Sequence, residues 1–278
     1  MQLDWQTLIN QTIKDEFLRN AYVWEPFAKG SSNAIFLGRI KPSKIEPHAK
    51  TVVLRINALA KDTPGVCRDQ EATILNWIQP YSWAPQIIKN EPNQGWCLMN
   101  YYEHAAHTKG YSFEQFPTQH QSQLLTAVNQ LQCVETCSNH IQNYDTLLDD
   151  TYLPIANSKN DEQAYRWIES IKNDLATLPK RPNCLVHHDL HLGNLVISNN
   201  TKMPDNRLIL TILDWEYASV GNPWFDASCL SRYLSIPTQK IHELTVFSSL
   251  NKTIFESALK RANEMTGTLE KLWYRTRG

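Results

Sequence analysis

The stretch Cys184-Leu185-Val186-His187-His188-Asp189-Leu190-His191-Leu192-Gly193-Asn194-Leu195-Val196-Ile197 sets a polar segment between two apolar runs. The runs, Cys184 to Val186 and Leu195 to Ile197, predict strand ends or a buried hairpin. Between them lie three histidines, one aspartate, one glycine and one asparagine. A polar loop pinned at both ends by buried chain is held rigidly, and rigid loops are where reacting groups are presented. A second stretch follows, Leu208-Ile209-Leu210-Thr211-Ile212-Leu213-Asp214-Trp215-Glu216-Tyr217, in which an apolar run ends in an acid.

Asp189 is a carboxylate flanked by histidines, the right type to orient and deprotonate a hydroxyl. Asn194 adds a neutral oxygen and Asp214 a charged one. A hard cation such as Mg²⁺ takes a few such oxygens and keeps substrate phosphates and water as its other ligands. Asp189 as base, with Asn194 and Asp214 as metal ligands, therefore makes a set for phosphoryl transfer. The competing chemistry is a zinc site from His187, His188 and His191. Against it, the adjacent His187 and His188 point to opposite faces of extended chain, and no H-E-x-x-H pattern accompanies them. The bland reading of the histidines is that they hydrogen-bond backbone and brace the loop.

At 278 residues the chain can bury a sizeable core in one large or two smaller domains. A formal net charge of -1 gives no footprint for a nucleic-acid partner. No apolar run approaches the roughly 20 residues that span a bilayer. The start, Met1-Gln2-Leu3-Asp4-Trp5, lacks the basic-then-apolar order of a signal peptide, so a cytoplasmic protein is expected. The six cysteines, which include Cys133 and Cys137 four apart, form no C-x-x-C pair and read as reduced thiols.

Along the chain, an apolar stripe at Leu3, Leu8, Ile9, Ile13 and Phe17 predicts one helix over residues 1 to about 20. Strands are expected at Val23 to Phe27, Ala34 to Ile40 and Thr51 to Ile56, with a turn at Lys29-Gly30-Ser31-Ser32-Asn33. Arg68 to Ile78 reads as a helix. Gln86 to Ile88 and Trp96 to Met99 read as strands around the turn Glu91 to Gly95. Helices follow at Phe116 to Val134 and Asp161 to Leu178, with Asn157 to Asn160 as a linker before the second. From about Asp226 the pattern is mostly helical, with short helices expected at the C-terminus.

His187-x-Asp189-Leu190-His191-x-Gly193-Asn194, followed by Ile212-Leu213-Asp214-Trp215-Glu216-Tyr217-Ala218, closely resembles the aminoglycoside phosphotransferase and choline kinase superfamily. The downstream Gly221-Asn222-Pro223-Trp224-Phe225-Asp226 is also similar to its members. The resemblance covers about Val23 to Tyr233. It implies an α+β, two-lobed protein-kinase-like fold, with a β-rich nucleotide-binding lobe over residues 1–100 and a helical catalytic and acceptor-binding lobe over 101–278. It implies that Asp189 is the catalytic base and that Asn194 and Asp214 hold Mg²⁺. Gly30, Ser31, Ser32 and Asn33 resemble the family's loop over the ATP phosphates, with Lys29 where relatives often carry another glycine. Arg55 stands where protein kinases place a strand lysine, and Glu71 is its expected carboxylate partner.

The expected activity is transfer of the γ-phosphate of ATP to the hydroxyl of a small alcohol. The Asp-Trp-Glu-Tyr-Ala run, the arginine on the strand and the chain length resemble the bacterial thiamine kinases most. Choline or ethanolamine kinase comes next, then an aminoglycoside phosphotransferase, then a non-catalytic nucleotide-binding protein. Glu216 and Asp226, with Trp215, Tyr217 and Trp224, are expected to draw in a cationic head group.

Overall fold

The β-branched run Thr51-Val52-Val53-Leu54-Arg55-Ile56 forms the middle strand of a five-stranded antiparallel sheet. A computed structural model describes residues 4–29, 33–40, 51–59, 63–103, 118–136, 141–199 and 208–277. The chain divides into two compact units, Met1–Thr63 with Pro85–Glu103, and Pro64–Ala84 with His104–Gly278.

The first unit holds the helices α1 (Trp5–Thr12) and α2 (Glu16–Ala21) and the strands β1 (Tyr22–Lys29), β2 (Ala34–Ile40), β3 (Thr51–Ile56), β4 (Ile87–Glu91) and β5 (Trp96–Asn100). The sheet order is β1-β2-β3-β5-β4. Alternation along β3 sends Val52, Leu54 and Ile56 into a core with Phe36, Trp96, Leu98, Ile9 and Ile13. The residues between them face the other way, so Arg55, opposite Cys97, lies on the second face and is also buried. The single helix expected over the first 20 residues is two. Its backbone turns extended at Ile13, and Asp15 caps a new helix by accepting the Leu18 N–H. The break lets Ile13 enter the core, while Phe17 stays exposed.

The second unit begins with α3 (Arg68–Ile78), whose bounds match the expected ones. Gln70 Nε2 on this helix donates to Ala218 O at 2.8 Å. Helices α4 (Thr118–Gln132), α5 (Tyr144–Leu147), α6 (Leu153–Lys159) and α7 (Glu162–Thr177) follow, with a π-helical turn at Leu148–Tyr152. The expected linker at Asn157 to Asn160 shrinks to its last residue. The chain is helical to Lys159, and Asn160 ends α6 in left-handed backbone at φ 48°. The two apolar runs around the histidines are strands, β6 (Cys184–Val186) and β7 (Leu195–Asn199), but they do not pair with each other. β6 pairs with β9 (Ser219–Gly221), and β7 pairs with β8 (Leu208–Ile212).

The remainder is α8 (Trp224–Arg232), α9 (Thr238–His242) and α10 (Lys252–Arg277). The C-terminal helix is 26 residues long, not short as expected. It has no proline to stop it, and at its one glycine, Gly267, a Cβ would stand 3.4 Å from the Arg232 guanidinium. Trp224 stacks against Phe247 and Phe255 in the core of this unit, so it is not a ligand-facing ring.

Gly38 on β2 gives a test of the first unit's packing. A Cβ there would stand 2.5 Å from the Trp24 ring and 2.9 Å from Val52 Cγ2. Gly38→Ala is expected to cost about 1–3 kcal/mol by overpacking, read as a lower urea midpoint with unchanged slope.

Candidate active site

Strand β6 runs into the turn at His187 and His188, and the first turn of α8 meets it there. The Asp226 side chain, fully buried at the start of α8, accepts the His187 N–H through Oδ2 and the His188 N–H through Oδ1, both at 2.9 Å. His188 sits in left-handed backbone at φ 68°, a conformation that non-glycine residues adopt only when their surroundings hold them in it. The paired N–H bonds to Asp226 are part of that hold. Burial pushes the Asp226 carboxyl up to about 7.

The two adjacent histidines are committed elsewhere. His187 is wholly buried, and burial pulls it down to about 4, so it is a neutral imidazole. Its Nε2 lies 2.9 Å from Leu213 O and its Nδ1 accepts the Asp189 N–H at 3.3 Å, which puts the ring proton on Nε2. Its ring meets Trp215 edge-on with centroids 4.6 Å apart. His188 is likewise pulled to about 4 by burial. The Tyr144 hydroxyl accepts the Asn222 N–H at 2.8 Å, leaving its own proton for His188 Nε2 at 2.9 Å. A Cβ at residue 221 would stand 2.2 Å from that hydroxyl, so Gly221 is what admits Tyr144. Both His187 nitrogens and His188 Nε2 are engaged, and among the described residues no three His, Cys, Asp or Glu side chains are grouped as a zinc site.

Asp189 is held differently. Asn194 Nδ2 donates to Asp189 O at 2.8 Å and to Oδ2 at 3.0 Å. Burial raises the Asp189 carboxyl, but His191 and Asn194 together outweigh it and hold the group below the usual carboxylate value. The Asn194 amide nitrogen is thus spent on Asp189, and its oxygen is the atom left to act as a ligand. Leu213 N donates to Asn194 O at 2.8 Å, which fixes Asp214 beside Asn194. Asp214 is exposed and stands in left-handed backbone at φ 60°. Among the described residues no three or more His, Cys, Asp or Glu side chains are grouped to hold a metal. An amide oxygen and a carboxylate fit a magnesium ion that draws its other ligands from phosphates and water.

The four expected acceptor residues part company. Trp215 is 1% exposed, stacked on Trp83, and donates to Ile212 O. Glu216 is buried and takes Arg68 Nη2 at 2.9 Å. Asp226 is spent on the loop. Burial removes these three from the reach of an acceptor. Tyr217 alone is partly exposed, and its hydroxyl accepts Trp273 Nε1 at 3.2 Å. Arg68, one turn before Glu71, also pairs with that acid at 2.9 Å. In the first unit, Arg55 Nε donates to Asn57 Oδ1, and Asn33 Oδ1 accepts the Ala58 N–H. Gly30, Ser31 and Ser32 lie outside the described residues.

Several residues at the site were not singled out in the sequence. Tyr233 Oη donates to Glu270 Oε2 at 3.0 Å, and Arg232 Nη2 donates to the same oxygen at 2.7 Å. Arg232 and Glu270 border an open polar cavity of about 800 Å³ with Asn263, Gly267 and Tyr274. Glu270 and Trp273 are three apart on α10 and share a face. That spacing was the one signal available for them, and it reads equally well as an ordinary helix face.

Residues 23–244 match the sequence model of the phosphotransferase enzyme family. The chain belongs to that family. As a phosphotransferase, it carries Asp189, Asn194 and Asp214 inside the matched span, while α10 lies beyond it. No curated protein sequence matches the chain significantly. Among solved structures, a choline/ethanolamine kinase family protein from Mesorhizobium loti is similar, with 18% identity over 97% of this chain and 83% of that one, at a TM-score of 0.63. The choline kinase LicA from Streptococcus pneumoniae is 14% identical over 98% and 88% of the two chains, with a TM-score of 0.63. The aminoglycoside phosphotransferase APH(2'')-Ib with ADP bound is 16% identical over 100% and 91%, at 0.61. At these identities the likeness is one of fold, and that fold is the α+β kinase-like one expected from the two motifs.

The buried histidines set a pH dependence. An unfolded chain protonates His187 and His188 near pH 6.5, whereas the folded one does so only near 4. Their contribution is complete above pH 6.5 and is lost as pH falls towards 4. Asp226, raised to about 7, opposes them by taking up a proton in the folded state over the same interval. Two histidines against one acid leave a net loss of stability on acidification. Urea unfolding from pH 7 to 4.5 is expected to show it, with a shallower slope in His188→Gln. An identical slope in that variant would place the proton elsewhere.

Proposed function

We propose that the protein is an ATP-dependent kinase that transfers the γ-phosphate to the hydroxyl of a small cationic alcohol, with thiamine as first choice. The observation that carries the reading is the Asn194 amide. Its nitrogen holds Asp189 as an ionised base and leaves its oxygen, next to Asp214, for a hard cation. Asp189 orients the acceptor hydroxyl and receives its proton as the bond to phosphorus forms. Asn194 and Asp214 would hold Mg²⁺, which supplies charge neutralisation on the phosphate oxygens. Arg55 is expected to steady the triphosphate, and residues Gly30 to Asn33 to cover it.

A cationic acceptor is supported by the face that α10 presents. Glu270 brings a carboxylate to Tyr233, and Trp273 brings a ring to Tyr217. Aromatic faces beside an acid suit a quaternary or aromatic cation. Thiamine precedes choline and ethanolamine because the Asp214-Trp215-Glu216-Tyr217-Ala218 run and Arg55 resemble the thiamine kinases. An aminoglycoside comes after them, and a protein that binds nucleotide without turnover comes last.

A kinase assay with thiamine, choline, ethanolamine and kanamycin separates these readings. Nucleotide binding without turnover of any of the four would favour the non-catalytic protein. Asp189→Asn is expected to lower kcat by about 10²–10⁴-fold with MgATP binding intact, and full turnover in that variant would remove Asp189 as the base. Trp273→Ala is expected to raise KM for the acceptor about tenfold and leave KM for ATP alone. Equal rises in both would place Trp273 outside the acceptor site.

A further inference from the structure

His191 caps the turn at Leu192–Asn194 and also faces the Asp189 carboxylate. Its side chain is 40% exposed, whereas His187 is fully buried. Its Nδ1 accepts the Gly193 N–H at 3.0 Å, so the proton of the neutral ring sits on Nε2. That nitrogen stands 3.5 Å from Asp189 Oδ2. The contact is long, as catalytic hydrogen bonds commonly are before substrate tightens them. Oδ2 also takes Asn194 Nδ2, while among the described residues Oδ1 takes no hydrogen bond. One oxygen of the carboxylate is therefore clamped from two sides, and the other is left to an acceptor.

The ring has a prepared seat. A Cβ at residue 193 would stand 2.8 Å from His191 Cε1 and 3.0 Å from Nδ1, so a glycine is needed for the ring to lie there. On its other side the ring meets Tyr233 edge-on, with centroids 6.5 Å apart. Tyr233 is itself fixed, since its hydroxyl accepts Arg232 Nη1 at 3.1 Å and donates to Glu270. Few other uses explain a half-exposed imidazole held this firmly with its N–H turned to a carboxylate.

We propose that His191 is a positioning residue, which fixes the rotamer of Asp189 so that Oδ1 is presented to the acceptor hydroxyl. The inference rests on the reading of Asp189 as the base. It also makes Gly193 and Tyr233 parts of the same device. Gly193 admits the ring, and Tyr233 stops it from swinging away. A carboxylate free to rotate would spend part of its time with the wrong oxygen towards the acceptor, and small misplacements of a reacting group cost rate steeply.

The test uses the full-length protein, with thiamine, choline, ethanolamine or kanamycin as acceptor and with water, read as phosphate release from MgATP. His191→Ala is expected to lose about ten- to hundredfold in kcat, with MgATP binding and the thermal midpoint little changed. His191→Ser separates two roles. Serine can accept the Gly193 N–H as an N-cap does but is too short to reach Asp189, so its turnover stays low. His191→Gln can donate to Asp189 Oδ2 and is expected to recover most of the turnover. Gly193→Ala displaces the ring without deleting it and is expected to resemble His191→Ala.

A serine variant as active as the parent overturns the proposal, because the histidine would then serve only the turn. A glutamine variant no better than alanine overturns it too. Asp189→Asn keeps the two readings apart. If it is inactive while His191→Ala is not, the base stands and His191 falls. If the parent turns over neither an acceptor nor water, the kinase reading falls and takes this inference with it.

Discussion

Two backbone N–H groups in the turn at His187 and His188 depend on one carboxylate. The His187 N–H is buried and that of His188 partly so, and an unpaired buried N–H costs about 1–3 kcal/mol. Asp226 takes both. Its position at the first turn of α8 ties the C-terminal helices to the turn from which Asp189 projects. The left-handed backbone at His188 follows from the same arrangement, since both amides must point at one side chain. The rest of the loop is then reached by short steps. His187 carries the connection to Leu213, just before Asp214, and Tyr144 carries it through His188 to Asn222.

The strands and α3 were legible because their apolar residues follow periods of two and 3.6 over whole elements. The local spacing around Asp189 was also legible, and the structure does bring Asn194 onto Asp189. Burial was not. Trp215, Glu216 and Asp226 sit among polar and aromatic neighbours in the sequence, which suits a binding surface as well as a core. Only the fold reveals that Arg68 neutralises Glu216, and that Asp226 spends both oxygens on backbone. The split of the first helix at Ile13 was hidden for a related reason. The apolar stripe continues through the break, and the capping carboxylate of Asp15 lies between its apolar members.

The C-terminal helix shows where the family signature stops and this chain's own chemistry starts. The matched span ends at residue 244, before α10 begins at Lys252. Yet Glu270 and Trp273 on that helix reach Tyr233 and Tyr217, which lie within the span. Helix α10 thus brings an acid and an indole onto two tyrosines of the matched span. Arg232 fastens the helix there. Its guanidinium spans Tyr233, Thr266 and Glu270 and so fixes the register between α8 and α10.

The two carboxylates of the loop show how one site keeps acid groups in different states. Asp226 is fully buried among neutral donors, and desolvation raises it to about 7. Asp189 is partly exposed beside His191 and Asn194, and they hold it below the ordinary value despite its burial. Environments that push two acids apart in this way assign them different work. On the proposed reading, the ionised one takes the proton of an incoming hydroxyl. The other, hidden from solvent, contributes hydrogen-bond geometry. His187 and His188, kept neutral by burial, add no positive charge that would compete for Asp189. The imidazole that does face Asp189 is that of His191, which the carboxylate in turn holds above its usual value.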